Sequence, residues 1–330
     1  MELPTNFVKN VILRQNCQDI MNTMARSVLE LEAYDRDIHD TSIAHVLEQC
    51  LKIISTLPLF AVYGYQAYNH YDRNNSLIIH RPDPELSMAE NILMMLRPDG
   101  KYSACEAEAL DRALIIQMEH GGGNNSAFTT RVITSAGSDT YSVIAGALLS
   151  LKGPKHGGAN IKCIQMMDDI RANVSDITDE KQLSEYLTKI LKGEVFDHQG
   201  LIYGMGHAVY SISDPRAILL RKSVHKLAAE KGYDKELEFY ETVARLAPEI
   251  IATKRKSPVK VCINVDYYSG FLYRMLGIPE ELFTPLFAIA RASGWSAHRI
   301  EEMISSGKII RPAYVSIAKE REFVEIEKRN

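Results

Sequence analysis

The chain has 330 residues, enough to bury a large core, and its length fits two ordinary domains better than one large one. A net charge of −4 and a pI near 6.2 leave no overall basic field, so no nucleic-acid partner is implied and any anionic ligand must be met by local arginines. Cys17, Cys50, Cys105, Cys163 and Cys262 are scattered, odd in number and without CxxC spacing, which predicts free thiols in a reducing, cytoplasmic compartment. The opening MELPTNFVKN has no apolar signal core, and runs such as VIAGALL at 143–149 are too short to cross a bilayer, so a soluble protein with no membrane partner is expected.

Strand signals are nearly absent while apolar residues recur at helical spacing throughout, so the fold is predicted to be mainly α. The first stretch with chemical content is MEHGGGNNSAFTTR at 118–131, where His120 precedes a glycine run. The spacing then predicts a helix over 138–153, capped by Ser138 or Asp139, striped by Tyr141, Ile144, Leu148 and Leu151, and ended by Gly153 and Pro154. His156 falls in the following turn, just before a helix predicted over 158–170, whose positive end disfavours imidazolium. GMGHAVYSISDPR at 204–216 places His207 among glycines and Arg216 after Asp-Pro; it lacks the third glycine and the preceding strand of a dinucleotide site. Clusters at 233–237 and 254–260 predict loops, and the basic run Lys254, Arg255, Lys256 and Lys260 suits either a solvated face or the phosphates of an acyl carrier. INVDYYSG at 263–270 carries Asp266. A last helix is predicted to open with Thr284 as N-cap and Pro285 next, to carry Phe287, Arg291, Trp295 and Ile300, and to stop at Gly307, with Arg311 following in KIIRPAY. No repeat and no Ser/Gly linker interrupts the chain.

His156, His207 and Asp266 form a plausible acid/base and polarising set, since histidines donate to developing oxyanions and a carboxylate can take a proton from carbon beside a carbonyl. Taken singly, each histidine, His120 included, could equally cap a helix or satisfy a loop carbonyl. Arg216, Arg291 and Arg311 offer the planar fork that fits a di- or tricarboxylate. Arg291, among Phe287, Ile289 and Trp295, needs an anionic partner. The histidines lack common zinc spacing, so no metal is expected.

Together KGPKHGGAN, GMGHAVY with SDPR, NVDYYSG, and AIARASG with IIRPAY resemble the citrate synthase family, from about Leu3 to Arg311 and somewhat beyond. The resemblance implies an all-α, two-domain helical fold: a large domain of residues 1–156 and 274–330, a small domain inserted at 157–273, and an active site in the cleft between them. It implies condensation of acetyl-CoA with oxaloacetate and water to citrate and CoA, with acetyl-CoA a substrate and no further cofactor. His156 matches the histidine that hydrogen-bonds the thioester carbonyl, Asp266 the base that takes the methyl proton, and His207 the histidine that polarises the ketone. His120, Arg216, Arg291 and Arg311 match ligands of oxaloacetate and citrate, and Phe287 an aromatic beside the substrate. CoA is implied to cross Leu201, Ile202, Tyr203, Gly204, Met205 and Gly206. A homodimer is implied, with Arg311 reaching the neighbouring subunit's site. Gln117 stands where many members have a further histidine, and members usually have a substantial segment before the position of Met1. The alternatives are a 2-methylcitrate synthase using propionyl-CoA, or a truncated, inactive helical homologue.

Overall fold

The computed structural model describes residues 3–206, 210, 212–255, 261–305 and 307–329. Most helices begin where the sequence supplies a short polar side chain to accept a first-turn N–H. Asp19 opens α1 (Ile20–Leu31), Ser42 α2 (Ile43–Tyr71), Ser87 α3 (Met88–Leu96), Ser103 α4 (Ala104–Gln117), Asn124 α5 (Asn125–Ser135) and Asp139 α6 (Thr140–Leu151). Gly158 precedes α7 (Ala159–Asn173) without a side-chain cap. Asp179 opens α8 (Glu180–Lys192), Asp214 α9 (Pro215–Lys231) and Asn264 α11 (Val265–Met275), with α10 (Asp234–Arg255) between the last two and α12 (Phe283–Ser305) at the end. Among the described residues no strand extends beyond one antiparallel bridge, Met205 with Ile263, so the all-α prediction holds.

Two boundaries differ from the sequence reading. The charged cluster at 233–237 is not a loop: Gly232 closes α9 at φ +72°, and Asp234 and Glu236 then suit the positive end of α10. Thr284 is not an N-cap, because a 3-10 turn at Glu280–Leu282 carries the chain straight into α12; its hydroxyl instead donates to the Gly157 carbonyl at 3.1 Å. One described helix, α2, is long and apolar enough to cross a membrane, but 67% of its apolar stretch is buried here against other helices.

Helices α1, α2, α5, α6 and α12 pack on one another, as do α7, α9 and α11 in one set and α8 with α10. Helix α4 touches both α12 and the α9/α11 pair, so the loop after it, with His120, issues where the two groups meet. That junction is pinned by Glu106, whose carboxylate takes both Arg97 Nη atoms at 2.7 Å and Lys231 Nζ at 2.5 Å. Burial raises the Glu106 pKa, but hydrogen bonds from Arg97, Lys231 and the Ser103 amide override it and hold the carboxyl down at about 2.

Candidate active site

The turn between α6 and α7 aims the half-buried His156 ring at the first turn of α5. Its Nε2 accepts the Ser126 backbone N–H at 3.2 Å and lies 2.9 Å from Ser126 Oγ, which itself accepts the buried Trp295 indole N–H at 3.1 Å. A nitrogen that accepts a backbone N–H carries no proton, so the neutral ring holds its proton on Nδ1. Burial first, and the Arg291 charge second, push the His156 pKa below its ordinary value. The neutrality expected from the helix end is therefore present, with burial and Arg291 as its causes.

Asp266 is the second residue of α11, where the Asn264 cap accepts its N–H at 3.1 Å. Burial raises its pKa to about 6, with Arg216 and Arg291 opposing the rise and Asp214 reinforcing it. A carboxylate held near neutrality is suited to accept a proton from a weak carbon acid at physiological pH.

The guanidiniums stand in different settings. Arg216 is clamped by the carboxylate that caps its own helix, with Nε 3.0 Å from Asp214 Oδ1 and Nη2 2.8 Å from Oδ2. Arg291 is 2% exposed; its partners are the Gln117 carbonyl, which accepts from Nε at 2.8 Å, and the Phe287 ring, 4.8 Å away. Burial lowers the Arg291 pKa to about 10, which leaves it charged at neutral pH. At position 117 the backbone thus holds Arg291, while the Gln117 amide oxygen accepts the Tyr273 hydroxyl at 3.4 Å.

Electrostatic coupling links His156, Asp266, Arg216 and Arg291. His120 joins them through Tyr210, whose ring it meets edge-on at 6.1 Å and over which the Arg216 guanidinium sits at 5.7 Å. The expected acyl-carrier loop is tied to the segment leading to Asp266: Gly206 N–H donates to Cys262 O at 2.7 Å, Asn264 N–H to Gly204 O at 2.9 Å, and Asn264 Nδ2 to Gly206 O at 2.9 Å. Behind Leu201, Ile202 and Met205 lies a cavity of about 200 Å³, walled also by Leu191, Ile251 and Val261. A cavity of about 610 Å³ opens on the far side of Asp214, among Ile218, Glu241 and Tyr268; His156, Asp266 and Arg291 do not line it, so it is not where these groups converge.

His207 lies outside the described residues, as do the side chains of the basic run Lys254, Arg255, Lys256 and Lys260. Arg311 is not brought to this cluster; it is exposed on the stretch after α12, one residue beyond Ile310, whose N–H donates to Ser135 Oγ at 3.0 Å. Sequence reasoning missed Ser126, Tyr210, the contact of Trp295 with Ser126 and the clamping role of Asp214. Tyr210 and Asp214 stand inside GMGHAVYSISDPR, and Ser126 inside the His120 motif, so their positions were visible although their contacts were not. Among the described residues no group of three or more His, Cys, Asp or Glu is arranged to hold a metal.

A family model described as citrate synthase, C-terminal domain, matches residues 1–313. Citrate synthase of Synechocystis sp. is 37% identical over 72% of this chain and 55% of its own length. 2-Methylcitrate synthase 2 of Corynebacterium glutamicum is 32% identical over 94% of this chain and 75% of its own. The chain thus spans about half of the first relative and three quarters of the second. The citrate synthase of the thermophilic archaeon Thermoplasma acidophilum, solved in ternary complex with carboxymethyl coenzyme A and oxaloacetate, matches the fold with a TM-score of 0.81 at 27% identity, covering 99% of this chain and 81% of that one. With the helical fold, the clustered His156, Asp266, Arg216 and Arg291, and the family match over nearly the whole chain, this protein belongs to the citrate synthase family.

Proposed function

We propose that the chain condenses acetyl-CoA with oxaloacetate and water to give citrate and CoA. The observation that carries this reading is Asp266, a carboxylate with its pKa raised to about 6, set within the fields of Arg216 and Arg291, the second of which also acts on the His156 imidazole. A thioester methyl is a weak acid, so Asp266 can remove its proton only if the enolate oxygen is stabilised as charge develops. His156 is suited to provide that stabilisation, because Ser126 fixes Nε2 as an acceptor and leaves Nδ1–H to donate. Arg216 and Arg291, with His120, would hold the keto-dicarboxylate so that its ketone carbon meets the enol in near-attack geometry, and His207 would polarise that ketone. Water then hydrolyses the citryl thioester. The chemistry calls on no metal and no redox cofactor.

CoA is assigned to Leu201–Gly206, a reading supported by the slot behind that loop and by its hydrogen bonds to the segment leading to Asp266. A large domain of 1–156 and 274–330 around a small one of 157–273 is supported by the mutual packing of α7, α9 and α11, which α4 joins to the other helices, and by the place of the cluster beside that junction. A homodimer is supported by the exposed Ile43, Leu47 and Leu51, at successive four-residue intervals on α2, and by the largely exposed Tyr314, Val315, Ile317 and Phe323 after α12, apolar surface that a second copy would cover. In that dimer Arg311 would complete the neighbouring site. The protein is proposed to work in the cytoplasm.

The test is thiol release from purified protein with oxaloacetate and either acyl-CoA. Faster turnover of acetyl-CoA is expected; faster turnover of propionyl-CoA establishes the 2-methylcitrate reading, which a 32% identical relative of that name keeps as the second candidate. A folded protein that binds both substrates and releases no thiol refutes the enzyme reading and leaves an inactive homologue. Shared sites are tested by co-expressing Asp266→Asn and Arg311→Ala chains: a mixed dimer then has one intact site, and random pairing restores roughly a quarter of full activity. No recovery in a verified mixed dimer refutes the trans role of Arg311.

A further inference from the structure

The loop that carries His120 turns on a glycine and gathers on the carboxylate of Glu119. Gly121 lies at φ +79°, the Glu119 carboxylate accepts from the backbone of His120 and Gly121, and the Asn124 side-chain amide donates to Gly121 O at 2.6 Å. Beyond the ring contact of His120 with Tyr210 and the approach of Gly122 to His298, its hold on the body runs through the residues just before His120. The Gln117 carbonyl accepts from Arg291, and the Glu119 carboxylate meets His298 Nε2 at 3.0 Å. Arg291, Gly294 and His298 are spaced i, i+3 and i+7 on α12, so they share one face. Between the two contacts the loop lies directly on the helix: a Cβ at Gly294 would come within 2.3 Å of Glu119 Oε2 and 2.4 Å of Met118 O. Segment 117–119 is thereby docked along the stripe that presents Arg291. The His298 side chain is only 14% exposed, and its Nδ1 lies 3.2 Å from Glu301 Oε2, which restrains the ring's rotation.

We infer that Glu119 and His298 are a positioning pair that fixes His120 relative to Arg291, setting the spacing between two groups that receive the dicarboxylate. The inference rests on the reading of this site as an oxaloacetate site. Neither residue is assigned contact with substrate; each acts through its neighbour in the chain or on the helix. Glu119 bears the larger share, because one carboxylate gathers the loop's own Gly121 amide and the helix's imidazole.

The test is calorimetric titration of oxaloacetate into the full chain and its variants, with steady-state KM values for both substrates. His298→Ala is expected to weaken oxaloacetate binding roughly tenfold, the size of effect associated with losing a hydrogen bond to a charged group. The KM for the acyl-CoA should stay within about twofold, since the Leu201–Gly206 loop is anchored elsewhere. His298→Gln, whose amide can still donate to Glu119, should recover most of the affinity, and Gly294→Ala should reproduce the loss by lifting the loop from α12. If His298→Ala does not fold, Glu119→Ala, which leaves neither His298 nor the Gly121 amide an acceptor, carries the same expectation. Unchanged affinity in His298→Ala overturns the inference, as does a loss that His298→Gln shares in full or that raises both KM values alike. An unmodified chain that binds no oxaloacetate refutes the reading of the site itself; normal binding by that chain alongside an indifferent variant refutes only the pair.

Discussion

Asp266→Asn should make the protein more stable while removing its turnover. The fold raises the carboxyl from 3.8 to about 6, so the native state binds a proton more tightly than the unfolded chain. Native stability contributed by this group therefore falls as pH rises from 3.8 towards about 6, and the full penalty is present above that range. At 1.36 kcal/mol per unit the ionised side chain opposes folding by up to about 3 kcal/mol at pH 7.5. Asparagine keeps the shape and removes the charge. Urea unfolding of the unliganded proteins should show a gain approaching that figure at pH 7.5 and almost none near pH 4. In a thermal scan it corresponds to about 4 °C, taking average unfolding entropies per residue. Turnover should drop by about 10²–10⁴ through loss of the base. In the unmodified enzyme kcat/KM should fall tenfold per pH unit below about 6, the pKa of the free base. Equal stabilisation at both pH values, or destabilisation at pH 7.5, would refute the account of Asp266 as a desolvated carboxylate.

Ser126→Ala keeps the backbone N–H to His156 but removes the hydroxyl that accepts from Trp295; kcat should fall roughly tenfold at unchanged oxaloacetate affinity, and stability by about 1–3 kcal/mol for the orphaned indole, both read from kinetics and urea curves. Glu106→Gln should destabilise by up to about 3 kcal/mol at neutral pH, because a carboxyl depressed from 4.5 to about 2 contributes stability that is present above 4.5 and lost as pH falls towards 2, where the variant and the parent should unfold alike. Gly204→Ala places a Cβ 2.7 Å from Tyr267 Cδ2 and 3.0 Å from its Cα at a φ of +78°, so it should part the 204–206 loop from 262–264 and raise the acyl-CoA KM roughly tenfold while oxaloacetate binding holds within twofold.

What the sequence revealed depended on how local the cause was. Helix α6 is readable because its cap, Asp139, and its stripe lie within one stretch. The cluster at 233–237 reads as a loop, whereas acids directly after the Gly232 stop begin a new helix. Within the site, residue types were legible from motifs and their partners were not. His156 could be expected to be neutral, yet the reason, burial with Arg291 alongside, joins residues 135 positions apart. Nothing in KGPKHGGAN indicates that Ser126 sets the tautomer of that ring, or that a tryptophan from α12 steadies the serine. Such contacts depend on tertiary packing and have no spacing of their own.

The arrangement also gives the proposed reaction an order. Arg216 and Arg291 lower the pKa of Asp266 through their charge, while burial and Asp214 raise it. A dicarboxylate bound between those guanidiniums would neutralise the field that favours the ionised base, leaving the groups that raise its pKa less opposed. Asp266 then becomes a stronger base once the electrophile is in place, and remains a weaker one in the empty site. His156 changes in the same direction: with the Arg291 charge compensated, its imidazole is a weaker acid, and burial together with the Ser126 N–H must keep it neutral. Ser126 therefore matters most when oxaloacetate is bound, because an imidazole whose Nε2 is already engaged as an acceptor keeps its single proton on Nδ1, where a thioester oxygen can use it.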